Sequence, residues 1–414
     1  MIVKFGCKNI KAIKVYEEIE IKPITIIMGE NSSGKSSILQ ALSLLNVNKT
    51  FGNNIQKIKY NNPFSQFGDN NSFKNKNDEI IFSFKITERN TILKLIYMDD
   101  ESDNQYGILK RVDIDNDDMS ISLELENSES LEYKLIIINV KNNKDIYGLI
   151  KCVEIYTNLR VITRMHLLSK CKEDTSEVID NINQIQESIA FILKPLDVLL
   201  DNLTAIRHIG MIKEKSATYD YGLDYIGYFG ENYKDIALGL ESTKFLEDAI
   251  SHVFDYDLVV DKTKRELFLE VENKNLQLHM FGSSIGSTIP ILTQFAQNRE
   301  ENIKDKYRLT IIEEPELNLH PQSQARFVEA LFKDDIPEKH YTILETHSDH
   351  ILNKIRLLVS KKIVMSDDVV VYYKKKNTKF KKIEIDKCGE FKEKFPKGFY
   401  DATLEDIYSL GEDC

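Results

Sequence analysis

Apolar and polar positions alternate with a period of two over Ile80-Ile-Phe-Ser-Phe-Lys-Ile86 and Ile121-Ser-Leu-Glu-Leu-Glu126, so residues 80–150 read as rich in half-buried strands. Three runs are apolar without alternation: Ile24–Met28, Arg308–Ile312 and Tyr341–Leu344. Short runs of that kind predict strands covered on both faces. Val3–Phe5, Ile10–Tyr16 and Glu17–Lys22 predict a β-meander leading into the first of them. The period changes to that of a helix at Ser37–Leu45, Gln322–Phe332 and Asp349–Ser360. It also does so at Val178, Ile179, Ile182, Ile185 and Ile189, with a second helical stretch, Leu196–Leu203, after Pro195. This pair predicts a short helical insertion, too brief for a sustained coiled-coil arm. Val369–Tyr373 and Phe380–Ile385 bracket a turn and predict a β-hairpin with a lysine-rich tip.

Strand–helix alternation at both ends with a strand-rich stretch between predicts an α/β protein. The expected organisation is an N-terminal half-domain with a β-rich subdomain over residues 1–160, a helical insertion over 161–260, and a C-terminal half-domain over 261–414. The composition, 42% hydrophobic and 29% charged in 414 residues, is that of a globular chain with ample core. No apolar run approaches the ~18 residues of a membrane helix, and the first residues lack the apolar stretch of a signal peptide. Cys7, Cys152, Cys171, Cys388 and Cys414 show no C-x-x-C spacing, so reduced thiols and a cytoplasmic location are expected. A net charge of −11 argues against a protein that coats nucleic acid.

The chemistry starts at Gly29-Glu-Asn-Ser-Ser-Gly-Lys-Ser36, a full match to the phosphate-loop pattern G-x-x-x-x-G-K-[ST]. It lies between a predicted strand and a predicted helix, the context that gives the pattern meaning. Backbone N–H groups of Asn31, Ser32, Ser33, Gly34 and Ser37 are expected to face phosphate oxygens of a nucleotide. Lys35 is expected to reach the β- and γ-phosphates, and the Ser36 hydroxyl to bind Mg²⁺.

Leu309-Thr-Ile-Ile-Glu313-Glu314-Pro315-Glu316 is an apolar strand ending in paired carboxylates. In a parallel sheet, strand ends gather at one edge, so both carboxylates are expected near the loop. Glu313 is the candidate for the Mg²⁺ shell. Glu314 is the candidate for orienting or deprotonating the attacking water. Glu345-Thr346-His347-Ser348 follows the next strand, and His347 is the candidate sensor of the γ-phosphate. Asp367-Asp368 reads as a solvated turn rather than a metal site. Most of the chain separates Lys35 from Glu314, so a large part of the protein is inserted between the two halves of one nucleotide-binding head.

Taken together, Gly29–Ser37, Ile312-Glu-Glu-Pro-Glu-Leu-Asn-Leu-His-Pro321 and Glu345–Ser348 resemble the ABC-type ATPase heads of the OLD and AAA-21 (AAA-15) group, related to SMC and RecF ATPases. Ile226-Gly-Tyr-Phe-Gly-Glu-Asn232 and the segment from Gly389 to Asp401 are weaker matches to the same group. The resemblance implies an ATP- and Mg²⁺-dependent ATPase that works as a homodimer or a higher homo-oligomer of dimers. In such heads a signature segment of one subunit completes the γ-phosphate site of the other. The candidate here is Gly282–Pro290, with Ser284, Gly286 and Ser287 as the nucleotide-contacting residues. It departs from the usual Ser-Gln pair, and its composition also fits a plain Gly/Ser loop. The glutamine of the lid has no clear counterpart; Gln66 is the nearest candidate.

Too little chain follows residue 349 for a TOPRIM nuclease domain, so no nuclease site is expected in this sequence. Proteins of this organisation resemble ATPase subunits of bacterial antiviral systems of the Septu and PARIS types, which implies a separate effector such as an HNH nuclease from a neighbouring gene. A RecF-like DNA-repair ATPase and a stand-alone regulatory scaffold are the alternatives, and a transporter subunit fits least. Six lysines in nine residues, Lys374–Lys382, are a candidate contact for nucleic acid or an acidic partner.

Overall fold

The computed structural model describes residues 1–50, 55–62, 65–66, 78–103, 105–117, 119–128, 132–140, 153–157, 168–171, 182–210, 226–300, 303, 306–334 and 336–396. The chain forms two compact units, each drawn from two stretches of sequence: Met1–Glu20 with Ser36–Ile206, and Ile21–Lys35 with Arg207–Cys414.

The first unit is built on a ten-stranded sheet whose pairings are antiparallel. Alternation along Ile80–Ile86 puts Phe82 and Phe84 in the core, where Phe84 meets Phe5 and Phe82 meets Tyr97 edge-on. The meander is shorter than expected. Ile2–Lys8 pairs with Glu17–Glu20, but Ile10–Tyr16 is not a strand. Asn9 and Lys11 take positive φ and Ile10 bridges Ile13, so the chain turns back where apolar spacing suggested extension. The two helical stretches of the expected insertion are one helix, Ile182–Thr204, which carries Pro195 in its interior. Residues 176–181 of that pattern, and residues 397–401 of the C-terminal segment, lie outside the described residues.

The second unit holds the expected doubly covered strands. Its six-stranded sheet runs in the order β2 (Ile206–Ile209), β3 (Arg308–Glu313), β4 (His340–Glu345), β1 (Ile24–Gly29), β5 (Val369–Lys374), β6 (Lys381–Ile383). The β3–β4, β4–β1 and β1–β5 pairings are parallel, and β5–β6 is the antiparallel hairpin. Every residue of β1, β4 and β5 is buried, as strands covered on both faces require. Ile26 of β1, Ile312 of β3, Leu344 of β4 and Val371 of β5 share one core with helices Ser283–Asn298, Pro321–Phe332 and Asp349–Ser360. Helix starts follow local chemistry. Pro321 sits at the first helical position behind His320, and Ser348 Oγ accepts from Ile351 N at 3.2 Å. Asp367 and Asp368 lie in a single tight turn before β5, as expected.

The unit boundaries differ from those at 160 and 260. Among the described residues, 161–260 is not a helical body of its own. The Ile182–Thr204 helix belongs with the N-terminal sheet, and the chain from Arg207 onward, with helices Tyr233–Gly239 and Lys244–Phe254, belongs to the second unit. The reason is the place of β1. It is hydrogen-bonded between two C-terminal strands, so residues 21–35 leave the N-terminal stretch to complete the other unit's sheet.

Candidate nucleotide site

Parallel register brings four strand ends to one edge. Glu313 is opposite Glu345, and Gly29 is opposite Lys374. The carboxyl edge of such a sheet is where nucleotides bind in open α/β folds. Gly29 is conformationally forced: its φ is +142°, and a Cβ there would run into the backbone carbonyl of Lys374. The loop then continues through Ser32 (φ 60°) and Gly34 (φ 106°) to Lys35, where helix α1 (Lys35–Thr50) begins. Asn31 and Ser32 are exposed, whereas Ser33, Gly34, Lys35 and Ser37 are buried. Ser36 follows Lys35 directly and begins the other unit's stretch of chain.

The loop fits a phosphate chain. Ser33 Oγ is buried with no hydrogen-bond partner among the described residues, and a phosphate oxygen would supply one. Lys35 Nζ donates to the carbonyls of Gly29 (3.1 Å) and Glu30 (2.9 Å). Burial lowers the Lys35 pKa, opposed by the pull of Glu345, Glu314 and Glu316. The negative charges of these three residues thus act on the loop cation.

The acidic turn is fastened to the strands beside it. Glu314 has left the strand with φ 47°, and its N–H donates to the Glu345 carbonyl at 2.8 Å. Glu316 accepts from Thr346 Oγ1 at 2.8 Å and from the His347 N–H at 2.6 Å. Thr346 N–H in turn donates to the carbonyl of Ile27 on β1 at 3.0 Å. The Glu-Thr-His-Ser segment therefore ties the acidic turn to the strand that carries the phosphate loop. His347 Nε2 lies 3.8 Å from Glu314 Oε1, and the side chain is partly exposed. Burial, then the charge of Lys35, lowers the His347 pKa. Burial raises that of Glu316 despite its hydrogen bonds.

Glu313 behaves differently from its neighbour. It is 8% exposed, and its two oxygens meet His208 Nε2 at 3.0 Å and the Tyr228 hydroxyl at 3.3 Å. Neither partner was visible from motif spacing, since they lie 105 and 85 residues away in sequence. The one available signal was the glycine-bearing segment around Tyr228. Glu316, which the strand-end pattern does not single out, also takes part through its bonds to Thr346 and His347. Among the described residues no cluster of three or more His, Cys, Asp and Glu side chains forms a metal cage. A Mg²⁺ that accompanies a nucleotide needs none, because phosphates and water fill most of its shell.

Two further expectations met different surroundings. The Gly282–Pro290 segment is not a loop. Gly282 caps a helix that runs from Ser283 to Asn298. The hydroxyls of Ser287 and Thr288 both donate to the Ser284 carbonyl, at 3.1 and 2.7 Å. A Cβ on Gly282 or Gly286 would meet nothing within 4 Å, so this helix start presents bare backbone. The Lys374–Lys382 tip is not uniformly solvated. Lys374 is buried, with Nζ donating to the Thr378 carbonyl at 2.6 Å and lying 4.6 Å from the centre of the Phe380 ring. The turn also grips the phosphate loop. Glu30 N–H donates to the Lys374 carbonyl (3.0 Å), and Lys376 N–H donates to Glu30 Oε2 (2.9 Å). Gln66 ends a two-residue strand, Ser65–Gln66.

A glycine-bearing loop between a buried parallel strand and a helix, with carboxylates on the neighbouring strand ends, defines an α/β P-loop ATPase. The chain belongs to the AAA_15 family, an AAA ATPase domain, which it matches over residues 1–352. ATP hydrolysis is the activity of that family, as the three sequence motifs led one to expect. Among characterised proteins the chain is 24% identical to the Endonuclease GajA of Bacillus cereus (strain HuB5-5), over 81% of this chain and 53% of that one. The chain thus spans about half the length of that relative. Solved structures similar to it include the SMC head domain from Thermotoga maritima, at 10% identity and TM-score 0.36, covering 93% of this chain and 99% of that one. Another is an SMC head bound to the C-terminal winged-helix domain of ScpA, at 12% identity and TM-score 0.38, covering 93% and 98%. Likenesses of that size carry no weight for function. No helix among the described residues is long and apolar enough to cross a membrane.

Proposed function

We propose that this ATPase domain is an ABC-type head that closes on ATP as a homodimer, or as a higher assembly of dimers, and opens when ATP is hydrolysed. The observation that carries the reading is the gathering of the phosphate loop, Glu314, Glu316 and Glu345 around Lys35 at one strand edge. In this reading Asn31, Ser32, Ser33, Gly34 and Ser37 cradle the phosphates and Lys35 binds the β- and γ-groups. Ser36 and Glu313 hold Mg²⁺, which supplies charge neutralisation of the triphosphate. Glu314 accepts the proton of the attacking water, and His347 contacts the γ-phosphate.

The helix start at Gly282 supports the dimer. Ser284, Gly286 and Ser287 lie where nothing covers Gly286, and backbone can approach a partner's γ-phosphate closely there. Met280 and Leu317, large apolar side chains that are 63% and 37% exposed, are apolar surface available for a partner on this unit. The test is association measured by light scattering with Mg-ATP. Gly286→Glu is expected to leave the melting temperature and ATP binding unchanged and to abolish ATP-dependent dimers. Dimers that persist in this variant would contradict the interface.

The biological setting we favour is antiphage defence, with the head signalling to a separate effector nuclease. It rests on the motif resemblance to defence ATPase subunits and on similarity to a protein named as an endonuclease. Co-purification with the neighbouring gene's product, gained or lost on adding ATP, tests it. A RecF-like action on DNA has one specific observation in its favour. Lys376 and Lys379 are exposed on a turn that is hydrogen-bonded to the phosphate loop through Glu30. On that reading duplex DNA stimulates hydrolysis, and Lys376→Glu with Lys379→Glu removes the stimulation while leaving DNA-free turnover intact. Equal turnover with and without DNA would remove this alternative.

A further inference from the structure

Glu313 is a carboxylate buried at the edge of a sheet, and two side chains from distant segments converge on it. His208 comes from β2, the strand next to β3. Tyr228 comes from the loop between Ile226 and Asn232. Each reaches a different oxygen of the carboxylate. A carboxylate oxygen has two lone pairs, so one hydrogen bond on each leaves acceptor capacity on both.

The two donors are themselves held. The rings of His208 and Tyr228 stand edge-to-face, 4.9 Å between centres and 90° between planes. Phe229 also packs edge-to-face with Tyr228, with ring centres 4.8 Å apart. Gly210 lies flush with the tyrosine, whose ring occupies the space any Cβ at 210 would need, and its N–H donates to the Tyr228 carbonyl at 2.9 Å. The loop is closed by two glycines in conformations that other residues avoid, Gly227 (φ 88°) and Gly230 (φ 77°). Its entry is fixed by Ile226 N–H donating to Gln294 Oε1 at 3.3 Å. A tyrosine that only filled the core would need no hydroxyl, and a histidine 2% exposed is an unusual filler beside a carboxylate.

We propose that His208 and Tyr228 are positioning residues that fix the orientation of the Glu313 carboxylate and thereby set the affinity of the site for the Mg²⁺ that accompanies ATP. The inference rests on Glu313 as the metal-shell residue of the proposed site. In this role the pair acts through Glu313, the group that both side chains reach. Outer partners of this kind change metal affinity by roughly 10- to 100-fold when removed.

The experiment measures binding of a fluorescent ATP analogue to the full chain as MgCl₂ is raised, beside a parallel titration in EDTA. Tyr228→Phe keeps the ring and removes only the hydroxyl. It is expected to raise the Mg²⁺ concentration at half-saturation about tenfold or more, with EDTA-state binding and melting temperature unchanged. His208→Gln, which retains an N–H donor on a shorter side chain, is expected to give a shift of the same sign. Glu313→Gln serves as the reference. If it raises the half-point but Tyr228→Phe and His208→Gln do not, the positioning role is overturned and the metal role of Glu313 stands. If none of the three moves it, the metal reading itself fails. A fall in melting temperature with an unmoved half-point would make the pair structural and also overturn the proposal.

Discussion

Lys35→Ala is expected to abolish ATP binding at concentrations that saturate the parent protein. The ammonium is the one cation of the phosphate loop. It is buried, and it is held by the loop's own Gly29 and Glu30 carbonyls. Around it stand Glu345, Glu314 and Glu316. Without the lysine, the triphosphate would enter a buried edge lined by carboxylates, with no compensating charge from the loop. Removing one partner of a buried ion pair costs about 3–5 kcal/mol. That is a loss of roughly 10²- to several thousand-fold in Kd. Isothermal titration with ATP and Mg²⁺ reads it directly. Because Gly29 and Glu30 keep their backbone bonds to β5, the fold is expected to survive, and a melting curve separates lost binding from lost structure. Retention of parental affinity would mean that the loop is not the nucleotide site.

Glu314→Gln is expected to leave ATP bound and stall its hydrolysis. The backbone around Glu314 is set by its bond to the Glu345 carbonyl and by a positive φ, neither of which depends on the carboxylate. Glutamine has the same shape but cannot accept a proton from water. Loss of a positioned general base lowers a rate by about 10²- to 10⁴-fold. Phosphate release should fall by that factor, while the Kd for ATP stays within about threefold, less than 1 kcal/mol. The ATP-closed dimer should then accumulate and be visible by light scattering. Turnover at the parental rate would transfer the base role to another carboxylate of the cluster, with Glu316 the first to examine. The two variants separate binding from chemistry. Lys35→Ala loses the dimer because ATP never binds, whereas Glu314→Gln keeps it because ATP never leaves.

The features that were legible in the sequence are those encoded within a few residues. The phosphate loop has its glycines where the backbone turns, and β1, β3 and β4 are apolar because both faces are covered. The carboxylates after Ile312 and the Glu-Thr-His-Ser segment stand where these strands end, so their common edge followed from parallel pairing alone. What was not legible depends on distant chain. Nothing near His208 or Tyr228 announces Glu313 as their partner. Lys374 opens the lysine-rich run offered as a contact for nucleic acid or an acidic partner, yet it is the last residue of a buried strand and its ammonium lies over the Phe380 ring. Ile10–Tyr16 has the spacing of a strand, but local left-handed turns at Asn9 and Lys11 override it. Pro195 suggested a break between helices, and the helix runs through it. The boundaries of the two units follow the excursion of β1, which no local composition marks.

That excursion has a consequence for synthesis. β1 leaves the ribosome early, while β3, β4 and β5, with which it shares its sheet, are encoded roughly 300 residues downstream; at about 5–20 residues per second they follow some 15–60 s later. Throughout that interval an apolar strand with the propensity to pair lacks its native neighbours. An unpaired apolar strand of this kind exposes the growing chain to aggregation, and low-temperature expression is expected to raise the yield of folded protein, read as the soluble fraction at two growth temperatures.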